Sequence, residues 1–124
     1  MRKKDSTNFL NEIDLVKNCG MFYTLSVVGG RWKVGILAAL MDNKTLRYSE
    51  IKAKLKNITE RMLIKQLKEL QDDGLIIRTD YREVPPRVEY SISEKGKSLE
   101  DVLIALRNWG KKYRNETRSF IDQF

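Results

Sequence analysis

The chain has no histidine and one cysteine, Cys19, among its 124 residues. Zinc sites draw on clustered cysteine and histidine, and hydrolytic triads need a histidine or a substitute base, so this composition assembles neither. A lone cysteine also excludes an internal disulfide, which fits a reducing compartment. The acidic neighbours Asp72-Asp73 and Glu100-Asp101 fall in helical sequence, where adjacent side chains point about 100° apart and do not converge on a site. No catalytic residue, metal site or cofactor is expected, and the chain reads as a non-enzyme. Long apolar runs are missing too. Nothing approaches the roughly 18 residues of a membrane span, and no apolar export segment follows the basic start. The expectation is a cytoplasmic protein without membrane contact.

What the chain has in quantity is positive charge. Lys and Arg number 24 against 17 Asp and Glu, a formal +7, with an isoelectric point near 9.6. Such a balance concentrates polyanions around a protein, nucleic acid among them. Hydrophobic residues at 41% and charged residues at 33% describe a globular chain, and its length suits one domain with short extensions.

Phe9, Ile13 and Val16 recur at helical spacing and predict a short amphipathic helix. Met21 to Val28 reads as a second short helix, stopped by Gly29-Gly30. Trp32 to Met41 follows, with Trp32, Ile36, Leu37 and Leu40 on one face. Ser49 is the expected N-cap of a helix through Leu55, with Ile51 and Leu55 inward. Lys56-Asn57-Ile58 makes a three-residue turn. Thr59 then caps a longer helix, Glu60 to Asp73, closed by Gly74 at the C′ position. Two helices joined this way have the layout of a helix-turn-helix.

Past Gly74 the period drops to two. Leu75, Ile77, Thr79 and Tyr81 alternate with Ile76, Arg78, Asp80 and Arg82, and Val88, Tyr90 and Ile92 alternate with Glu89 and Ser91. These predict two antiparallel strands. The chain's only prolines, Pro85 and Pro86, lie in the link between them, where they cannot continue a ladder. Ser93 caps a long final helix from Glu94, along which Leu99, Val102, Leu106, Trp109, Tyr113 and Phe120 step by three and four. A bend or a break is expected near Gly110, or before the tail Phe120–Phe124. The fold expected is mainly α with a small β-hairpin wing, a winged helix-turn-helix.

Around the Glu60–Asp73 helix, Leu63, Leu67 and Leu70 share one side, with Ile64 at its margin. Arg61, Lys65 and Lys68 share nearly the opposite side. On an isolated helix this is an ordinary solvated face, but here the stripe starts in the first turn of a recognition helix, the part that meets base edges. Arg61 is able to donate two parallel bonds to guanine, while Lys65 and Lys68 reach either bases or phosphates. In the wing, Arg78, Arg82 and Arg87 bracket the prolines. Each pairs with Glu83 or Glu89 or meets DNA, Arg82 being favoured for DNA and Arg87 having a structural alternative. The expected DNA-binding set is Ser49, Thr59, Arg61, Lys65, Lys68, Arg82 and Arg87.

The segments Cys19-Gly20-Met21-Phe22-Tyr23-Thr24-Leu25, Gly29-Gly30-Arg31-Trp32, Arg47-Tyr48-Ser49-Glu50-Ile51 and Glu83-Val84-Pro85-Pro86-Arg87-Val88-Glu89-Tyr90-Ser91 resemble the HxlR family of bacterial regulators, a winged-helix group allied to MarR. The resemblance runs in order from Cys19 to about Gly110. It implies a homodimer with helices from both chain ends at its interface, bound to an inverted-repeat operator on double-stranded DNA. Leu99, Val102, Leu106 and Trp109, helped by Phe9, Ile13 and Val16, are the interface residues expected on that basis. Cys19 aligns with a cysteine that senses oxidants or electrophiles in several members. Those members usually carry proline next, where this chain has Gly20, which loosens the entry to the following helix. The domain limits expected are an extension with a short helix over 1–18, the winged domain over 19–110, and the end of the dimerisation helix with its tail over 111–124. The function expected is a sequence-specific transcriptional regulator. The alternative is a winged-helix protein-interaction module without specific DNA binding.

Overall fold

In the computed structural model, residues 19–114 are described. The helices form where the apolar periodicity places them. α1 spans Gly20–Val28 and ends at Gly29, whose N–H donates to the Leu25 carbonyl at 2.7 Å. Gly30 then takes φ +96°, a left-handed backbone that a side chain would disfavour. α2, Lys33–Asp42, buries Ile36, Leu37 and Leu40 completely. A two-residue strand, β1 (Leu46–Arg47), leads into α3, Tyr48–Leu55, and then α4, Glu60–Asp72. β2 (Ile76–Asp80) and β3 (Val88–Ile92) form the hairpin, followed by α5 (Glu94–Lys97) and α6 (Glu100–Tyr113).

The sheet has three strands in the order β1-β3-β2, all antiparallel. In the hairpin Ile76 faces Ile92 and Asp80 faces Val88, while Leu46 of β1 faces Tyr90 on the other side of β3. The core lies between α2, α3, α4 and this sheet, and joins Ile36, Leu37 and Leu40 to Ile51, Leu63, Leu67, Leu70 and Leu75. One charge enters it. Lys33 is buried in the first turn of α2 and pairs with Glu69 of α4 at 3.3 Å, fixing the recognition helix to the scaffold.

Several expectations need correction. Ser49 is not the N-cap of α3; the cap and the helix start both lie two residues earlier. Arg47 occupies the cap, and its N–H donates to the Glu50 carboxylate at 2.8 Å. Arg47 is drawn into an extended conformation because, in β1, it pairs with Glu89 of β3. The simple alternation of the first wing strand also fails at its start. Leu75 and Ile76 are both buried, whereas Ile77 is exposed, because Leu75 still belongs to the helix exit, its N–H donating to the Leu70 carbonyl at 2.9 Å.

The final helix is two helices. Ser93 caps α5 as expected, accepting the Gly96 N–H at 2.9 Å. The Ser98 hydroxyl then donates to the Lys95 carbonyl, the acceptor that Leu99 would use in a continuous α-helix. Leu99 N–H turns instead to the Gly96 carbonyl at 3.0 Å. That local competition by serine tightens the turn and ends α5. No break occurs at Gly110, through which α6 runs without interruption.

Candidate nucleic-acid interface

Thr59 sets the recognition helix. Its Oγ1 accepts the Met62 N–H at 3.1 Å, satisfying one of the orphan donors at the start of α4. At the other end Gly74 adopts φ +76°, and the Lys95 ammonium donates to the Asp73 carbonyl at 2.8 Å, placing a cation at the negative end of the helix dipole. The helix is thereby held at both ends and along its inner side, where Leu63, Leu67 and Leu70 are buried.

The outer side is free. Arg61, Lys65 and Lys68 are exposed there as the spacing predicts. Lys68 pairs with Asp72 at 3.1 Å, but both are well exposed; such a pair contributes about 0–1 kcal/mol and exchanges readily for a phosphate. Helical spacing puts Ile64 at the apolar margin, whereas the structure leaves it 60% exposed among the basic residues. Arg61 brings donors for guanine and Ile64 an apolar surface suited to the thymine methyl group, so this face carries two kinds of base-reading chemistry. Ser49 lies exposed in the first turn of α3. Beside the turn, the Tyr48 hydroxyl donates to the Glu60 carbonyl at 3.5 Å. Burial, then the charges of Glu60 and Tyr90, push the Tyr48 phenol above its usual pKa, which keeps it a neutral donor.

The wing arginines differ from one another. Arg82 is exposed with φ +54°, and its backbone N–H donates to the Asp80 carboxylate at 2.8 Å. Arg87 is engaged within the wing, in an ion pair with Glu83 at 3.1 Å and over the Tyr81 ring at 3.6 Å. Arg87 thus takes the structural option and the Glu83 pairing that the sequence left open. The role of Tyr81 was missed, since an aromatic in an alternating strand gives no sign of what stacks on it.

The expected interface residues divide. Val102, Leu106 and Trp109 lie on the open side of α6 at 39%, 55% and 69% exposure. Leu99 does not join them: it packs with Leu103 against the core, since it closes the turn before α6. Phe9, Ile13 and Val16 lie outside the described residues. Cys19 is half-buried and stands at the N-cap of α1, its carbonyl accepting the Tyr23 N–H at 3.0 Å. Among the described residues no acidic, cysteine or histidine cluster could hold a metal, and no single helix is long and apolar enough to cross a membrane.

A helix-turn-helix with a free cationic face on its second helix, followed by an arginine-bearing wing, defines a winged-helix DNA-binding transcriptional regulator. The chain belongs to the HxlR-like helix-turn-helix family, whose profile matches residues 27–118. An HTH-type transcriptional regulator of Methanothermobacter thermautotrophicus is 50% identical over 95 residues, covering 77% of this chain and 72% of that protein. The HTH-type transcriptional regulator YdeP of Bacillus subtilis is 43% identical over 102 residues, covering 82% of this chain and 79% of its own length. The solved structure of the redox regulator HypR in its reduced form aligns with a TM-score of 0.75 and 38% identity, covering 80% of this chain and 97% of that one. Transcriptional regulators are a non-enzymatic class, and the chain is one of them.

Proposed function

We propose that the protein binds an inverted-repeat operator as a homodimer, with α4 in the major groove and the wing tip against the flanking backbone or minor groove. The observation that carries this reading is the outer face of α4. Arg61, Ile64, Lys65 and Lys68 are all turned away from the core on a helix anchored at both ends. A protein-interaction module has no need of a guanine reader in the first turn of that helix. Ser49 and Thr59, at the starts of α3 and α4, are placed to bind phosphates. Arg61→Ala is expected to cost about 1–3 kcal/mol on the operator and to relax preference at one base pair. Lys68→Ala should weaken all duplexes alike. Binding measured on an operator and its single-base variants checks this, and equal losses for Arg61→Ala on every sequence would remove its reading role.

A thiol switch at Cys19 is supported by its position. Cys19 is the residue that opens α1, and its side chain makes no capping hydrogen bond there; HypR, similar in fold and sequence, is described as a redox regulator. With one cysteine in the chain, a two-electron thiol oxidant joins Cys19 either to a small thiol or to the Cys19 of a second copy, with loss of two protons. Operator affinity is expected to change on the order of 5–150-fold on oxidation of wild type, to recover with dithiothreitol, and to stay constant in Cys19→Ser. An identical response in both proteins makes Cys19 structural.

A further inference from the structure

The wing places three arginines near one loop, and the structure assigns them different work. We propose that Arg87 is a positioning residue, which locks the wing tip from inside so that Arg82 is the arginine presented to DNA. The proposal rests on the DNA-binding reading above and goes further in dividing the roles.

Arg87 has little left to offer a phosphate. One terminal nitrogen, Nη2, donates to Glu83 Oε1 at 3.1 Å across the tip. The face of the guanidinium covers the Tyr81 ring, 3.6 Å from its centroid. Nε is buried without a partner, which closes off the side-on edge, one of the two with which a guanidinium grips an anion in two prongs. The side chain as a whole is only 33% exposed. Leaving a buried N–H unpaired is unfavourable, so the contacts on either side must outweigh it.

The rest of the loop is tied to the same point. The Tyr81 N–H donates to the Arg87 carbonyl at 3.0 Å, extending the hairpin one pair beyond β2 and β3. The Tyr81 hydroxyl is hydrogen-bonded to Glu89, which more than any other cause raises its pKa above the usual value; the Arg87 charge pulls the other way. Tyr81 therefore stays a neutral donor. Glu83, Tyr81 and Arg87 form a closed clamp around Val84, Pro85 and Pro86.

Arg82 is the opposite case. Its backbone is held in the left-handed region at φ +54° and pinned by Asp80, so the clamped loop directs its side chain outward. Among the described residues no ion pair or ring contact engages its guanidinium. A fixed backbone with a free cation at its tip lowers the ordering cost of binding.

The test measures affinity against salt concentration on a duplex that wild type binds, for Arg82→Ala, Arg87→Ala, Arg87→Lys, Tyr81→Ala and the Tyr81→Ala/Arg87→Ala double variant. Arg82→Ala should flatten the slope of log K against log salt by about 0.9, one phosphate contact. Arg87→Ala should lower affinity about tenfold by loosening the loop and leave the slope unchanged. Arg87→Lys, which keeps the charge and loses the flat stack, should behave like Arg87→Ala. The double variant should lose no more than either single one, since both break one clamp. In the free protein, Arg87→Ala should speed hydrogen exchange at the Tyr81 amide. A flattened slope for Arg87→Ala together with full binding by Arg87→Lys would make Arg87 a phosphate contact and overturn the proposal. Unchanged affinity in Arg87→Ala would overturn it as well. Failure of wild type to bind any duplex would instead sink the DNA-binding reading on which it rests.

Discussion

Replacing Leu106 and Trp109 together with aspartate is expected to yield a folded monomer that loses about 10²–10⁴ in operator affinity, the advantage of holding two half-sites at once. Both side chains lie on the open side of α6 with Val102, whereas Leu103 and Leu99 anchor the helix to the core. The substitutions should therefore spare the fold. Trp109 also packs at a tilt against Tyr113, ring centroids 5.1 Å apart, which extends the apolar surface toward the end of the helix. Alongside it runs a groove of about 570 Å³ between α2 and α6, lined by Val34, Met41, Leu103 and Ile104 among others. A stripe and groove of this kind, left open on a monomer, promote aggregation; against a second copy they supply an apolar interface centre. Two-fold pairing through α6 would set the recognition helices about 34–36 Å apart, or a multiple of that, on an inverted repeat. Light scattering and operator titration on the same samples check both halves of this expectation. Monomer mass for wild type at micromolar concentration contradicts it.

The legible parts of the fold were those governed by local chemistry. Thr59, Gly74 and Ser93 act at the helix ends where their side chains or backbone freedom place them, and the leucine spacing of α4 separates its buried and free sides. What escaped depends on residues distant in the chain. β1 is two residues long, too short for alternation to show, and exists because β3 has an open edge for Leu46 and Arg47. The same pairing moved the start of α3 away from Ser49. Lys33 reads as an ordinary surface lysine until Glu69 arrives from α4. Leu99 fits the stripe of the final helix on spacing alone, but Ser98 breaks that helix and turns Leu99 to the core. In the candidate interface the basic residues of α4 were readable from periodicity. The exposure of Ile64 and the stacking of Arg87 on Tyr81 were not, since each depends on the packed wing and helix.

The central claim is that this regulator binds duplex DNA with sequence preference, through cations on α4 and the wing. Each chain carries a formal +7, with Arg61, Lys65, Lys68, Arg78 and Arg82 all exposed. A dimer presenting these residues would cover roughly 6–10 phosphates, and release of their counterions would make binding steeply salt-dependent. Base contacts by Arg61 and Ile64 would add discrimination that salt does not remove. The most direct measurement is equilibrium binding of the purified protein to a retained genomic fragment and to a random duplex, at salt concentrations from 50 to 200 mM. The account predicts that affinity for the fragment falls by about 10³–10⁵ across that range, while the fragment stays at least about 10³ tighter than random duplex. Affinity that is flat with salt, or equal for the two duplexes, would contradict it.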